Sequence, residues 1–368
     1  MNKSPKKIHK PTLVFLTEFF PQNEDLVFTG GVEARTYYLC QQAKKDFKVK
    51  VIFSKSKKIA ATPLSIFSRL IYLFSSFFKA LKIDFDLIEA SNTTTYLPAF
   101  LASKIKRKPV VAWFPDVLGK DWFQFGLLVG SFGFILEKIS LKLNWDQVIA
   151  LSRSTQNKLI KSNIPKQKIT VAYGGIDLNE FITKKIKKYP NFTIITIARL
   201  VKTKRIIDLL KAFTIVNQKY PETNLIIIGQ GPEKKQLKKY IKDNQLGSAV
   251  SIYPLLPREK MIKTLKKSHL FCLPSIVEGF GLVTIEALTA NIPAVISDLP
   301  VHREITQNGR GVIFFKTQDY KDLSSKIFIM IKDQKIYQTK KKQAKKLITS
   351  YTWEKIYQQT KTSYLKAL

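Results

Sequence analysis

Cysteine is almost absent: Cys40 and Cys272 stand far apart and outside any C-x-x-C pair. That pattern excludes a disulfide framework and a zinc site, and reads as two reduced thiols in a cytosolic protein. Histidine is as scarce, with only His9, His269 and His302. Acidic residues are outnumbered, 27 Asp and Glu against 62 Lys and Arg, for a formal charge of +35. No apolar run reaches the roughly 20 residues of a membrane span. The basic residues 1–10 lead into a strand-like segment and not into a signal peptide's apolar core, so a cytoplasmic location is expected. The dinucleotide fingerprint G-x-G-x-x-G is also missing, which disfavours a nicotinamide enzyme.

What the chain does have is length and positive charge. Its 368 residues, 45% of them apolar, suffice for two domains with separate cores and exclude a disordered chain. Lysine is spread over the whole length. A charge of this size implies an anionic partner: nucleic acid, an acidic membrane face or a phosphorylated substrate. Two segments are unusually apolar, 63–79 and 122–137, both too short or too interrupted to span a bilayer. With the surrounding lysines they suit peripheral attachment to an anionic membrane. Residues 67–78 read equally well as interdomain core.

The chain is organised around Pro274 to Ala287. The apolar run Leu270 to Leu273 reads as a buried strand, Gly279-Phe280-Gly281 as a tight turn, and Leu282, Ile285, Glu286 and Leu288 have helical spacing. A helix start after such a turn is a ready anion site. Glu278 and Glu286 beside it are electrostatically awkward unless they bind hydroxyls, and a carboxylate can accept two of them. Anion cradle plus two carboxylates therefore suits a nucleotide sugar, while an ordinary surface turn remains the plain alternative. Arg199 at a strand end and Lys204 at a helix start converge where α/β sheets bind ligands, and two cations there suit a diphosphate.

Glu278-(seven residues)-Glu286 with Gly279-Phe280-Gly281 inside it, and the wider run to Val295, resembles the E-x7-E signature of retaining glycosyltransferases of family 4, which have the GT-B fold. The resemblance implies an α/β protein of two Rossmann-like domains facing across a cleft. Residues 1–185 would form the acceptor domain, with the boundary in the basic linker 184–190. Residues 186–348 would bind the donor, and 349–368, starting at the W-E-K of Trp353, would be a terminal helix packing back on the first domain. Gly30-Gly31-Val32-Glu33 resembles the loop that faces the donor diphosphate. Arg199 and Lys204 match the diphosphate clamp, and the N–H groups of Phe280, Gly281 and Leu282 would join them. Glu278 would hold the transferred sugar and Glu286 the ribose. Gly229 would line the donor site, and the backbone near Leu256 would hold the base.

Three departures from the family pattern stand out. Pro115-Asp116 occupies the strand end where many relatives place a histidine near the reacting sugar, which leaves Asp116 as the substitute. A general-base role would not suit it if the reaction proceeds with retention by front-face attack. Gly174 replaces an asparagine, and 299–305 replaces a Gly-Gly loop bordering the cleft. The pair Asp84/Asp86 reads as a solvated start of a strand, so no metal is expected. The reaction implied is metal-independent transfer of a hexosyl group from a nucleoside-diphosphate sugar to a glycan or lipid-linked hydroxyl, at the inner face of the cell membrane. The alternatives are a basic nucleic-acid-binding protein, for which no motif or basic–aromatic stripe is present, and a GT-B epimerase or phosphorylase.

Overall fold

Buried apolar runs alternating with helical stretches dictate a parallel α/β arrangement, because parallel strands need a crossover between them. The structure is a computed structural model that describes residues 10–21, 26–54, 63–182 and 186–368. The expected boundary at 185/186 adjoins residues 183–185, which lie outside the described residues, as does His9. The first half runs β1 (Thr12–Leu16), α1 (Gly31–Ala43), β2 (Lys48–Ile52), α2 (Pro63–Lys82), β3 (Leu87–Ala90) and α3 (Thr93–Lys106). It continues through β4 (Val110–Phe114), α4 (Leu127–Lys142), β5 (Gln147–Ala150), α5 (Arg153–Lys161) and β6 (Ile169–Val171). The second half runs β7 (Thr193–Ile197), α6 (Ile206–Lys219), β8 (Asn224–Ile228), α7 (Lys234–Asp243), β9 (Val250–Tyr253), α8 (Arg258–Lys267) and β10 (Leu270–Leu273). After it come α9 (Leu282–Thr289), β11 (Ala294–Ser297), α10 (Pro300–Ile305), β12 (Val312–Phe315), α11 (Tyr320–Lys332), α12 (Gln334–Leu347) and α13 (Trp353–Ala367).

Each half forms one six-stranded sheet, in the orders β2-β1-β3-β4-β5-β6 and β12-β11-β10-β7-β8-β9, with every pair parallel. Strand order reverses between β1 and β3 in the first sheet and between β7 and β10 in the second. Loops beyond the carboxyl ends of such switch points diverge and leave a crevice for ligands. The two Rossmann-like domains expected from the sequence are therefore present. Strand starts differ slightly: β3 begins at Leu87, because the Asp86 carboxylate accepts from Thr12 N at 2.8 Å and from Lys108 at 3.2 Å. Asp86 is held by protein donors at the foot of the sheet. Ser152 caps α5 as expected, accepting from Thr155 N at 3.0 Å.

Both faces of each sheet are covered. In the first domain α2, α3, α4 and α5 cover one face, and α1 and α13 the other. The apolar segment 63–79 lies within α2 but does not form interdomain core. Phe67, Ile71, Phe74 and Phe78 repeat at helical spacing and are 54–69% exposed. The segment 122–137 folds as a 3₁₀ turn running into α4. Gly130 and Gly133 leave room there for the Phe123 backbone and the Trp122 ring.

The terminal helix α13 packs on the first domain. Trp353 stacks on Tyr38 with ring centroids 5.2 Å apart. At its far end the Tyr364 hydroxyl donates at 2.6 Å to Glu89, which is fully buried in β3. Arg35 of α1 pairs with the same carboxylate through both guanidinium nitrogens and lies 4.3 Å over the Trp113 ring. A buried carboxylate is tolerable only with such partners, and removing one leaves an uncompensated charge. Arg35→Met is expected to cost about 3–5 kcal/mol of stability, and Glu89→Met in the same chain to recover a large part of it. Thermal melts of the single and double variants check this; a double variant no more stable than Arg35→Met would contradict it.

Candidate functional site

The site is built on the carboxyl ends of β7 and β10. From β7 the chain turns through Ala198-Arg199-Leu200 into a 3₁₀ turn, Lys202–Lys204, and Arg205 opens α6 in the left-handed region at φ +50°. The loop after β8 passes directly beneath this turn. A Cβ on Gly229 would stand 1.9 Å from the Ala198 carbonyl oxygen, and one on Gly231 2.2 Å from that of Leu200. Gly229, expected to line the donor site, therefore supports the segment that carries Arg199.

From β10 the chain runs through Ser275 and Glu278 to Gly281, which caps α9 at φ +81°. Lys204 Nζ lies 2.5 Å from Glu278 Oε1, and the Ser275 hydroxyl donates to the same oxygen at 2.7 Å. Burial alone would raise the Glu278 carboxyl. The charges of Lys204 and His302, with hydrogen bonds from Lys204 and Ser275, hold it below the ordinary value. Glu278 is thus an ionised carboxylate on the cleft floor. The Arg199 side chain has no hydrogen bond or ion pair among the described residues and is exposed. The cleft walls nevertheless lower its pKa, Glu278 working against that effect and Arg69 with it. Arg69 belongs to the first domain, where it pairs with Glu18 beyond β1 at 2.9 Å.

The domains meet at Gly279. A Cβ there would stand 2.4 Å from the Pro115 carbonyl oxygen and 3.5 Å from the Asp116 Cβ, so the turn rests on the end of β4 and only glycine fits. Asp116 is brought against the Glu278 loop. Its Oδ1 accepts from Lys158 at 2.7 Å and from Val117 N at 2.8 Å, while Oδ2 is buried without a partner among the described residues. Burial raises its carboxyl and Lys158 partly offsets this. The N–H groups of Phe280, Gly281 and Leu282 find no acceptor among the described residues. The Phe280 ring packs between Tyr173 and Tyr351 and fills the space beside Gly174, where a Cβ would stand 2.8 Å from it. A side chain at Gly174 would therefore press on this ring.

Glu286, expected to hold the ribose, lies in α9 with a partner of its own. It is buried, and Arg258 holds one of its oxygens. Arg258 also pairs with Glu180 at 2.8 Å, and Glu180 accepts from the Tyr38 hydroxyl. Burial raises the Glu286 carboxyl against the pull of Arg258. Its second oxygen has no partner among the described residues and stays available to a hydroxyl. Leu256 lies partly buried against the core just before α8.

Sequence reasoning missed Arg258, Glu180, Tyr38 and His302. Arg258 follows Leu256-Pro257 directly, and that position beside the loop expected to hold the base was the available signal. His302 is fully buried behind α9. Its Nδ1 lies 2.7 Å from the Ser297 carbonyl, and Nε2, without a partner among the described residues, is 3.4 Å from where a Gly281 Cβ would stand. Gly30 and Gly31 open α1 with nothing within 4 Å of either missing Cβ, while Glu33 turns back to Thr29 N at 2.7 Å. Among the described residues no three His, Cys, Asp or Glu side chains gather closely enough to hold a metal ion.

Comparison with known proteins agrees with this architecture. The profile of Glycosyltransferase Family 4 matches residues 29–180, and that of Glycosyl transferases group 1 matches 179–347. The capsular polysaccharide biosynthesis glycosyltransferase CapM of Staphylococcus aureus is 28% identical over 61% of this chain and 63% of its own length. The O-antigen chain mannosyltransferase RfbU of Salmonella typhimurium is 29% identical over 58% of this chain and 56% of its own. The chain thus spans less than two thirds of either relative. The N,N'-diacetylbacillosaminyl-diphospho-undecaprenol alpha-1,3-N-acetylgalactosaminyltransferase of Campylobacter jejuni is 24% identical over 80% of both. Among solved structures, Anabaena HepE in complex with UDP-glucose superposes with a TM-score of 0.78 at 19% identity, over 97% of this chain and 100% of that one. Two adjoining profiles that cover 29–347, on two facing parallel sheets, place the chain in the group 1 (family 4) glycosyltransferases of the GT-B fold.

Proposed function

We propose that the protein transfers a hexosyl group from a nucleoside-diphosphate sugar, with retention and without a metal, to a hydroxyl of a glycan or lipid-linked acceptor. The observation that carries this reading is the Lys204–Glu278 pair, set across the β7/β10 switch point with the unpaired Arg199 and the free N–H groups of α9 beside it. A diphosphate between them would meet a planar fork, an ammonium and a helix start, three kinds of donor for one anion. These groups stabilise the charge that develops on the departing diphosphate, the work a divalent cation does elsewhere. Glu278, ionised at the same spot, accepts from the sugar's hydroxyls. The open oxygen of Glu286 accepts from the ribose, with Arg258 fixing its orientation. Asp116 holds a hydroxyl through Oδ2. Retention is carried by the family 4 resemblance.

For the acceptor, the exposed faces of the first domain favour a membrane. Besides the α2 face, Ile105 of α3 and Leu128 and Ile135 of α4 are 55–65% exposed. Exposed Lys79, Lys82, Lys104 and Lys142 lie on the same helices. Apolar patches of this extent mark interaction surfaces, and a basic rim matches anionic headgroups. Among the described residues no helix is long and apolar enough to cross a membrane. The reading is peripheral docking at the inner face of the cell membrane, which suits a lipid-linked acceptor.

Slow hydrolysis of a panel of UDP-, GDP- and ADP-sugars, with and without EDTA, tests the reaction. Turnover of one donor despite EDTA is expected, and turnover abolished by EDTA would overturn the metal-independent clamp. Arg199→Ala and Lys204→Ala are each expected to lower kcat about 100-fold; near-wild-type rates in both would remove the clamp. Co-sedimentation with vesicles is expected to rise with anionic lipid and to fall sharply in Phe67→Ser/Phe74→Ser. Binding indifferent to both changes would remove the membrane docking.

A further inference from the structure

A cavity of about 480 Å³ opens between the domains where α5 faces α10. Its lining includes Arg153, Asn157, Lys158 and Lys161 of α5, with Arg303 of α10 and Asn308 just beyond it. Four cations and two amides make a strong donor set, and the single carboxylate among them is already engaged. Glu304 accepts from Arg153 N at 2.7 Å and from Ser154 N at 3.2 Å, which also pins α10 to the start of α5. Lys158 and Arg303 are steadied by Asp116 at 2.7 Å and Asp298 at 2.6 Å. Lys161 has no ion pair among the described residues. The cavity shares no residue with the Arg199/Lys204 clamp. It lies one ion pair from the reaction centre, because the Asp116 that holds Lys158 touches the Gly279 turn.

We propose that this cavity binds a phosphate or diphosphate group of the acceptor. The word acceptor rests on the transferase reading above; the anion site itself rests on the cavity. Guanidinium, ammonium and amide donors from two domains can surround a tetrahedral anion as exposed single lysines cannot. The distance logic is also chemical. A phosphate seated beside Lys158 leaves the adjoining sugar's hydroxyls on the Asp116 side, next to the donor sugar.

Pyrophosphate titrated into the full chain and followed by calorimetry tests this. Wild-type protein is expected to show two binding events. Arg199→Ala/Lys204→Ala should keep only the cavity event. Lys161→Glu should keep the clamp event and weaken the other about tenfold or more, as for loss of one charge-assisted contact. Asn157→Asp repeats the test if Lys161→Glu melts early. Two unchanged events in both cavity variants, or no second event in wild type, would overturn the proposal. Two events surviving in Arg199→Ala/Lys204→Ala would instead overturn the donor clamp. Vesicles of phosphatidic acid distinguish the source. Pyrophosphate-competable flotation that Lys161→Glu loses assigns the phosphate to a lipid, and a response to free pyrophosphate alone assigns it to a soluble acceptor.

Discussion

A carboxylate buried where two domains meet keeps its charge only if neighbours supply what water no longer does. Glu278 is that carboxylate. Its two closest donors, Lys204 and Ser275, come from the ends of different strands, β7 and β10. Those strands are adjacent because the sheet order reverses between them. An ammonium has three donors and Glu278 uses one. Lys204 can therefore bridge the carboxylate and a phosphate at once, which lets a negatively charged residue sit beside an anion site without repelling its ligand.

Holding that arrangement shut is the task of the contacts between domains. Gly279 lies on the Pro115 carbonyl, Phe280 fills the space over Gly174, Arg258 of the second domain grips Glu180, and Glu304 caps α5. Two of the four depend on a missing side chain. Adding a Cβ at Gly279 or Gly174 would separate the domains by more than a side-chain rotation could absorb, since the obstacle is backbone in one case and a packed ring in the other. The same contacts set the distance between Asp116 and Glu278, so closure and chemistry are decided together.

Much of this was legible in the sequence where the determinants are contiguous. The strand, glycine turn and helix from Leu270 to Leu288 lie within one short stretch, and Arg199 and Lys204 follow a strand that is plainly apolar. The fold class was implied by the family resemblance that these contiguous motifs carry. What stayed hidden depends on contacts through space. Arg258 reaches Glu286 across 28 positions, and Tyr38 reaches Glu180 across 142. No local pattern encodes such pairs, so Glu286 looked freer than it is. At Gly229 the close approach of the Ala198 carbonyl adds a packing reason for glycine that no local pattern shows. His302 carries no local signal, yet β11 and α10 bring it behind α9.

Topology also links the two surfaces that bear on the acceptor. Crossovers between parallel strands are right-handed, so the sheet order β2-β1-β3-β4-β5-β6 puts α2 to α5 on one face and leaves α1, with the returning α13, on the other. The exposed apolar residues of α2, α3 and α4 and the cations of α5 therefore belong to one helical layer. An acceptor with an apolar anchor and an anionic group would meet both features in that layer, apolar part outermost and charged part nearest the cleft. The overall charge of +35 then has a local meaning. On the proposed reading, diffuse lysine would draw the chain to an anionic surface, and the cations at α5 and at β7 would meet two different anions from opposite sides of the cleft.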